Sequence, residues 1–139
     1  MENFRFVLDY RVRSADINYG GHLSNAAVLN IFQDARIGYL EALGPYGELD
    51  ICGCGIIMPE AHVFYRAEMF LHEELQIGVR CAELKGSSFL LEYRVERAGE
   101  LTAEGTTPIV CFDYERRRPV RIPAEFRGAL TAYEGLVRA

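Results

Sequence analysis

The sequence predicts an α+β fold in which a five-strand antiparallel sheet curls around one long central helix, in a single domain over residues 1–139. Two patterns and their order carry this expectation. Apolar and polar residues alternate with period two near the N-terminus and again in later stretches, the mark of half-buried strands. Between them, residues 25–43 are apolar around most of a helical turn. One strand, one buried helix and then four strands is most simply closed by curling the sheet around the helix. A chain of 139 residues suits such a core, since at that size about two-thirds of the unfolded surface is buried.

Phe4, Phe6, Leu8, Tyr10 and Val12 alternate with Arg5, Asp9, Arg11 and Arg13, which sets the first strand. A loop over 14–24 follows and contains Gly20-Gly21, where positive φ or close backbone approach is cheap. Ser24 or Asn25 then caps a helix that runs to about Leu43, with Gly44-Pro45 as the stop. Its apolar positions include Ala27, Val28, Leu29, Ile31, Phe32, Ala35, Ile37, Tyr39, Leu40 and Leu43, so it is expected to be buried by the sheet. Strands are expected at about 56–69, at Leu75 to Cys81, at Phe89 to Val95 and at about 101–114. Glu83 to Ser87 and Ala98-Gly99-Glu100 supply turns for antiparallel pairing. A short helix from Ala124 to about Val137, after Pro123, closes the chain. A single curved sheet leaves an edge strand open to a partner, so a homodimer or a dimer of dimers is expected.

The chain is 50% hydrophobic and 25% charged, and 20 acidic against 15 basic residues leave a net charge of −5. That balance offers no basic field for nucleic acid or an anionic membrane. Charge or glycine breaks every apolar run well short of a membrane span, and MENFRFVLDYRV lacks the pattern of a secretory signal, so a cytoplasmic chain is expected. Cys52, Cys54, Cys81 and Cys111 are then expected as free thiols. Cys52-Gly53-Cys54 lacks the two-residue gap of zinc and thioredoxin motifs and has no second Cys or His cluster, so no metal and no cofactor is expected.

The densest polar cluster lies at the start of the long helix: Asp16, Asn18, Tyr19, Gly20, Gly21, His22, Ser24 and Asn25, with Asp34 nine residues further on. The first N–H groups of a helix lack intrahelical partners and its dipole favours negative charge, so a carbonyl oxygen there is polarised. The same residue types also make an ordinary loop and cap. Asp34 shares a helical face with Asn30 and Glu41 and fits a solvated stripe as well as a site. His62 and His72 read as strand and turn residues.

The segment from Asp16 to Asn25, followed by Phe32-Gln33-Asp34-Ala35-Arg36, resembles the motif of hotdog-fold thioesterases of the 4-hydroxybenzoyl-CoA type, D-x-D-x-x-G-H-V-N-N with an acid and A-R late in the helix. The resemblance extends over the element order of the whole chain, and Arg118-Pro119 with Ile122-Pro123 is similar to that family's ending. It implies an acyl-CoA thioesterase. One departure matters: the family's usual catalytic carboxylate falls on Asn18, which cannot act as a base. The set is instead similar to that of plant acyl-carrier-protein thioesterases. That likeness implies Asp34 as base or nucleophile, His22 and Asn18 as positioning donors, and the Asn25 amide as the group that polarises the carbonyl. Asp16 remains the alternative carboxylate, bonded to loop amides. For the phosphates of CoA the candidates are Lys85, Arg66, Arg80 and Arg116 to Arg118, and the resemblance favours Lys85 at the turn before the fourth strand. It also implies a site at a dimer interface. The rival reading is a non-catalytic hotdog protein that binds an acyl-CoA or acyl carrier, for which Asn18 speaks. A hydratase or dehydratase needs another His and acid arrangement, absent from the motif.

Overall fold

The computed structural model describes residues 1–136, so the expected end of the last helix at Val137 lies outside them. The elements are β1 (Phe6–Arg11), a single 3-10 turn (Ser14–Asp16), α1 (Asn25–Leu43), β2 (Gly55–Ile57), β3 (His62–Tyr65), β4 (Glu74–Leu84), β5 (Ser88–Arg97), β6 (Glu100–Asp113), β7 (Arg118–Pro119) and α2 (Ala124–Glu134). All the strands join one antiparallel sheet in the order β1-β4-β5-β6-β2, with β3 and β7 also on β6.

The stretch expected as one strand over 56–69 is two short ones. β2 pairs Val110 to Phe112 and β3 pairs Ala103 to Thr106 of the same neighbour. Between them the chain leaves the ladder at 58–61, where Pro59 has no N–H to offer it. Across its width the sheet is still five strands, with β1 at one edge and the β2/β3 pair at the other.

Alternation decides which side chains face the core: Leu75, Ile77, Val79 and Cys81 of β4 and Phe89, Leu91, Tyr93 and Val95 of β5 are all buried. Helix α1 starts at Ser24, whose Oγ accepts the Ala27 N–H at 3.1 Å. It buries Ala27, Val28, Ile31, Phe32, Ala35, Tyr39 and Leu40. The Phe32 ring stacks on Tyr93, with centroids 4.4 Å apart and 5° between the planes. Gly105 makes room for that stack, since a Cβ there would come within 2.9 Å of Phe32 and 2.4 Å of the His62 carbonyl. Each buried ring of this kind contributes about 1.5–3 kcal/mol. Helix α2 covers the far end of the core with Phe126 and Leu130, the former edge-on to Tyr46 at 5.0 Å. Tyr39 and the Cys81 N–H both donate to the Glu134 carboxylate and tie the end of α2 to the sheet.

The helix departs from expectation in two ways. The sheet does not bury every apolar position of α1, and Leu29 and Ile37 remain 40% and 38% exposed. And α1 buries a charge: Arg36 is only 6% exposed. Its Nε donates to Glu48 at 2.7 Å and its Nη1 to the Tyr93 hydroxyl at 3.1 Å, while Tyr93 in turn bonds Thr107 at 2.6 Å. Gln33 also donates to Glu48, at 3.3 Å.

Candidate active site

The loop before α1 is closed on itself. Ile17 and Leu23 form an isolated antiparallel bridge, and the Asn18 N–H donates to the His22 carbonyl at 3.1 Å. Within it the Asn18 side-chain oxygen accepts the Gly20 N–H at 3.0 Å, and Gly21 takes φ +80°. Gly20 lets Asn18 and His22 crowd together: a Cβ there would stand 3.0 Å from His22 Nε2 and 3.3 Å from Asn18 Oδ1. Tyr19 projects fully into solvent at the tip.

Asp16 anchors this loop from below. It is 6% exposed, and its Oδ2 accepts the Tyr10 hydroxyl at 2.6 Å and the Arg13 N–H at 3.0 Å. Burial first, and then the bond to Asp16, pushes the Tyr10 hydroxyl above the usual tyrosine range. The Asp16 carboxylate thus accepts from one amide and one phenol with the Arg13 guanidinium 4.0 Å away, and its backbone carbonyl accepts the Ser24 N–H at 2.8 Å at the helix start.

His22 and Asn25 meet at a cleft of about 230 Å³ between the start of α1 and the segment that follows β3; Val28, Tyr65, Glu68 and Met69 are also in its wall. The Leu23 N–H donates to the Met69 carbonyl at 2.7 Å and holds the two segments together. The Tyr65 hydroxyl donates to the Asn25 carbonyl at 3.2 Å, across the sheet edge. His22 Nδ1 lies 3.2 Å from the Leu23 carbonyl oxygen, and its Nε2 lies 4.0 Å from Glu68. A carbonyl oxygen only accepts, so Nδ1 carries a proton, and Nε2 is left on the side of Glu68.

Asp34 is not in that wall. It lies on the exposed side of α1 with Asn30 and Glu41, in line with the stripe reading, and its charge adds to the group of partners, led by Tyr10, that push the Arg13 guanidinium upward. Asn18 and Asp16 are likewise absent from the cleft wall. Lys85 lies exposed in the β4–β5 turn, where its N–H donates to the Ser88 carbonyl at 2.8 Å and its own carbonyl accepts from Arg127. Arg66 and Arg80 are engaged, with Glu104 at 3.1 Å and Glu92 at 2.7 Å. Tyr65, Glu68 and Met69 carry no motif in the sequence, and only the β3–β6 register brings them to the helix start.

All four cysteines are free. Burial pushes the Cys81 and Cys111 thiols up to about 12. Cys52 is exposed and donates to Glu125 at 3.0 Å, a bond that raises its thiol first of all. Among the described residues no group of three or more His, Cys, Asp or Glu is arranged to hold a metal ion, and no helix is long and apolar enough to cross a membrane.

A loop closed at the mouth of a long helix, on a five-strand-wide antiparallel sheet, is the architecture of the hotdog thioesterases. The chain belongs to the thioesterase-like superfamily, whose family model matches residues 12–130. It is 26% identical over 126 residues to the acyl-CoA thioesterase YbgC of Haemophilus influenzae, a match over 89% of this chain and 93% of that protein. Among solved structures it is similar to a thioesterase from Thermus thermophilus complexed with coenzyme A and Zn, at 29% identity and a TM-score of 0.88 over 99% of this chain and 100% of the other. A hypothetical protein, also from Thermus thermophilus, is 31% identical, with a TM-score of 0.85 over 93% of this chain and 99% of that one.

Proposed function

We propose that this chain is an acyl-CoA thioesterase that hydrolyses an acyl thioester to a carboxylate and the free CoA thiol. The observation that carries the reading is the cleft at the start of α1, where His22 stands beside the first N–H groups of a 19-residue helix. Those groups polarise a thioester carbonyl and take up the charge that develops on its oxygen. The family, the YbgC relative and the coenzyme A complex of the Thermus relative support the same reaction class.

In this reading the whole chain acts as one domain, and the Asn25 amide receives the carbonyl oxygen. Asp34 activates the water or attacks directly, and His22 is a donor to the reacting group. Asn18 serves as a positioning donor through its amide nitrogen, because its oxygen is engaged by Gly20. Asp16, with both its hydrogen bonds to β1 and the loop, keeps the loop in shape. Asp34 faces outward from its own protomer, so the reading requires a second copy that brings its cleft against this helix. The open β3 edge, with Phe64 and Tyr65 at 53% and 46% exposed, supports such pairing as a homodimer or a dimer of dimers. Lys85 is assigned to the nucleotide phosphates. The four free thiols suit the cytoplasm.

The test is thiol release on a panel of aliphatic and aromatic CoA esters and acyl carrier proteins. Turnover on at least one CoA ester is expected. Binding of CoA esters with no turnover on any of them makes the chain a non-catalytic acyl-CoA binding protein, the reading that Asn18 favours.

A further inference from the structure

We infer that Glu68 is the charge partner of His22 and acts through it on the departing thiol, a role that rests on the thioesterase reading. Three placements lead to it. The Leu23 carbonyl holds a proton on Nδ1, which leaves Nε2 on the side of Glu68. The Glu68 carboxylate stands 4.0 Å from that same Nε2, in the wall of the same cleft as Asn25. And the backbone of Glu68 is held independently of its side chain, since Arg97 Nη1 donates to the Glu68 carbonyl at 2.6 Å and itself pairs with Glu73 at 3.0 Å. The carboxylate is left free to serve His22.

The chemistry needs such a pair at one step. Water attacks the thioester carbon as its proton passes to the activating carboxylate, and the carbonyl electrons move to the oxygen at the start of α1. When the intermediate collapses, the C–S bond breaks and its electron pair goes to sulfur. The sulfur takes the proton from His22 Nε2, leaving the neutral ring, which regains a proton from solvent. The acid product and the activating carboxylate each lose a proton while the ring takes one back, so thioester and water give carboxylate, thiol and one proton. While Nε2 carries its proton the ring is a cation, and Glu68 supplies the opposite charge at 4.0 Å. Glu68 touches neither carbonyl nor sulfur, so it is a positioning residue.

Its signature is dependence on the leaving group. An alkyl thiol such as CoA leaves as a basic thiolate and needs the proton; an aryl thiol is acidic enough to leave without it. With the wild-type acyl-CoA as reference, Glu68→Gln is expected to lower kcat about five- to tenfold with KM within twofold. On the S-(4-nitrophenyl) thioester of the same acyl group the loss should shrink to less than twofold. Glu68→Asp should recover part of the acyl-CoA rate, and in a His22→Gln background Glu68→Gln should cost nothing further. The Glu68 side chain is 66% exposed, so thermal midpoints of the variants should match the parent and exclude misfolding. Equal losses on both leaving groups, no loss on either, or losses that multiply in the double variant overturn the role of Glu68 while leaving the enzyme a thioesterase. A wild-type protein inactive on every CoA ester overturns both.

Discussion

Replacing Glu48 by Ala isolates the buried charge on α1. The Arg36 and Glu48 side chains are 7% and 23% exposed and meet at 2.7 Å. Removing one partner of a fully buried pair costs about 3–5 kcal/mol, because the other charge is left in low dielectric without compensation. Two features reduce that figure here. Glu48 is partly wet, and Arg36 keeps the Tyr93 hydroxyl at 3.1 Å and the Met58 sulfur at 3.7 Å. Burial works against the Arg36 charge, yet Tyr93 and Glu48 together hold its guanidinium above the usual range. A loss of about 2–3 kcal/mol is the working value, which for a domain of this size lowers the thermal midpoint by about 8–12 °C and the urea midpoint by about 1–1.5 M. Urea unfolding followed by circular dichroism reads it directly. The paired variant Arg36→Met with Glu48→Leu should recover most of the loss, because it removes both charges and keeps the volume. A Glu48→Ala protein within about 0.5 kcal/mol of the parent, the scatter of ordinary surface changes, refutes the idea that this pair holds the helix to the 44–54 segment. Since Gln33, next to Asp34, also bonds Glu48, kcat should fall with stability in the single variant.

Asp34→Asn should lower kcat on an acyl-CoA by about 10²–10⁴ with the fold intact, whereas Asp16→Asn should lower stability by about 1–3 kcal/mol, as its carboxylate takes both Tyr10 and the Arg13 amide. A folded but inactive Asp16→Asn beside a near-normal Asp34→Asn reverses the two roles. Alkali should destabilise the protein through Cys81 and Cys111, whose thiols are raised from 9.0 to about 12 in the fold. The neutral form is the native one, so this stability is complete below pH 9 and is lost as pH rises from 9 toward 12, at about 1.4 kcal/mol per pH unit and thiol. Cys111→Ala should flatten the fall of the urea midpoint over that interval; an unchanged slope rules the thiol out. Sedimentation at assay concentration should show a dimer or tetramer, and a fully active monomer defeats the composite site.

What was readable in the sequence follows from local chemistry. Ser24 caps α1 because a hydroxyl before an apolar stretch satisfies a free N–H within three residues, and Leu43 ends it before Gly44-Pro45. β1, β4, β5 and β6 appeared where alternation was expected, since period two is a property of the strand itself. The 56–69 stretch was expected as one strand because periodicity alone runs through it, and the structure splits it around Pro59.

The candidate site was legible only on its loop side. Asp16, Asn18, His22 and Asn25 are near one another in the chain, so their spacing announces them, and the anchoring role of Asp16 follows from its short-range partners. Arg36 was seen as a motif letter and not as a buried charge, because Glu48 and Tyr93 reach it from 12 and 57 positions away. In the same way, Tyr65 meets Asn25 and Glu68 meets His22 from 40 and 46 positions away. Sequence by itself determined which segments are helix and strand and where the helix mouth lies, since caps and periodicity act within a few residues. Which strand edge and which carboxylate stand at that mouth was decided by the β3–β6 register and the packing of α1 on one face of the sheet, and neither has a local energy by which a short stretch of chain can announce it.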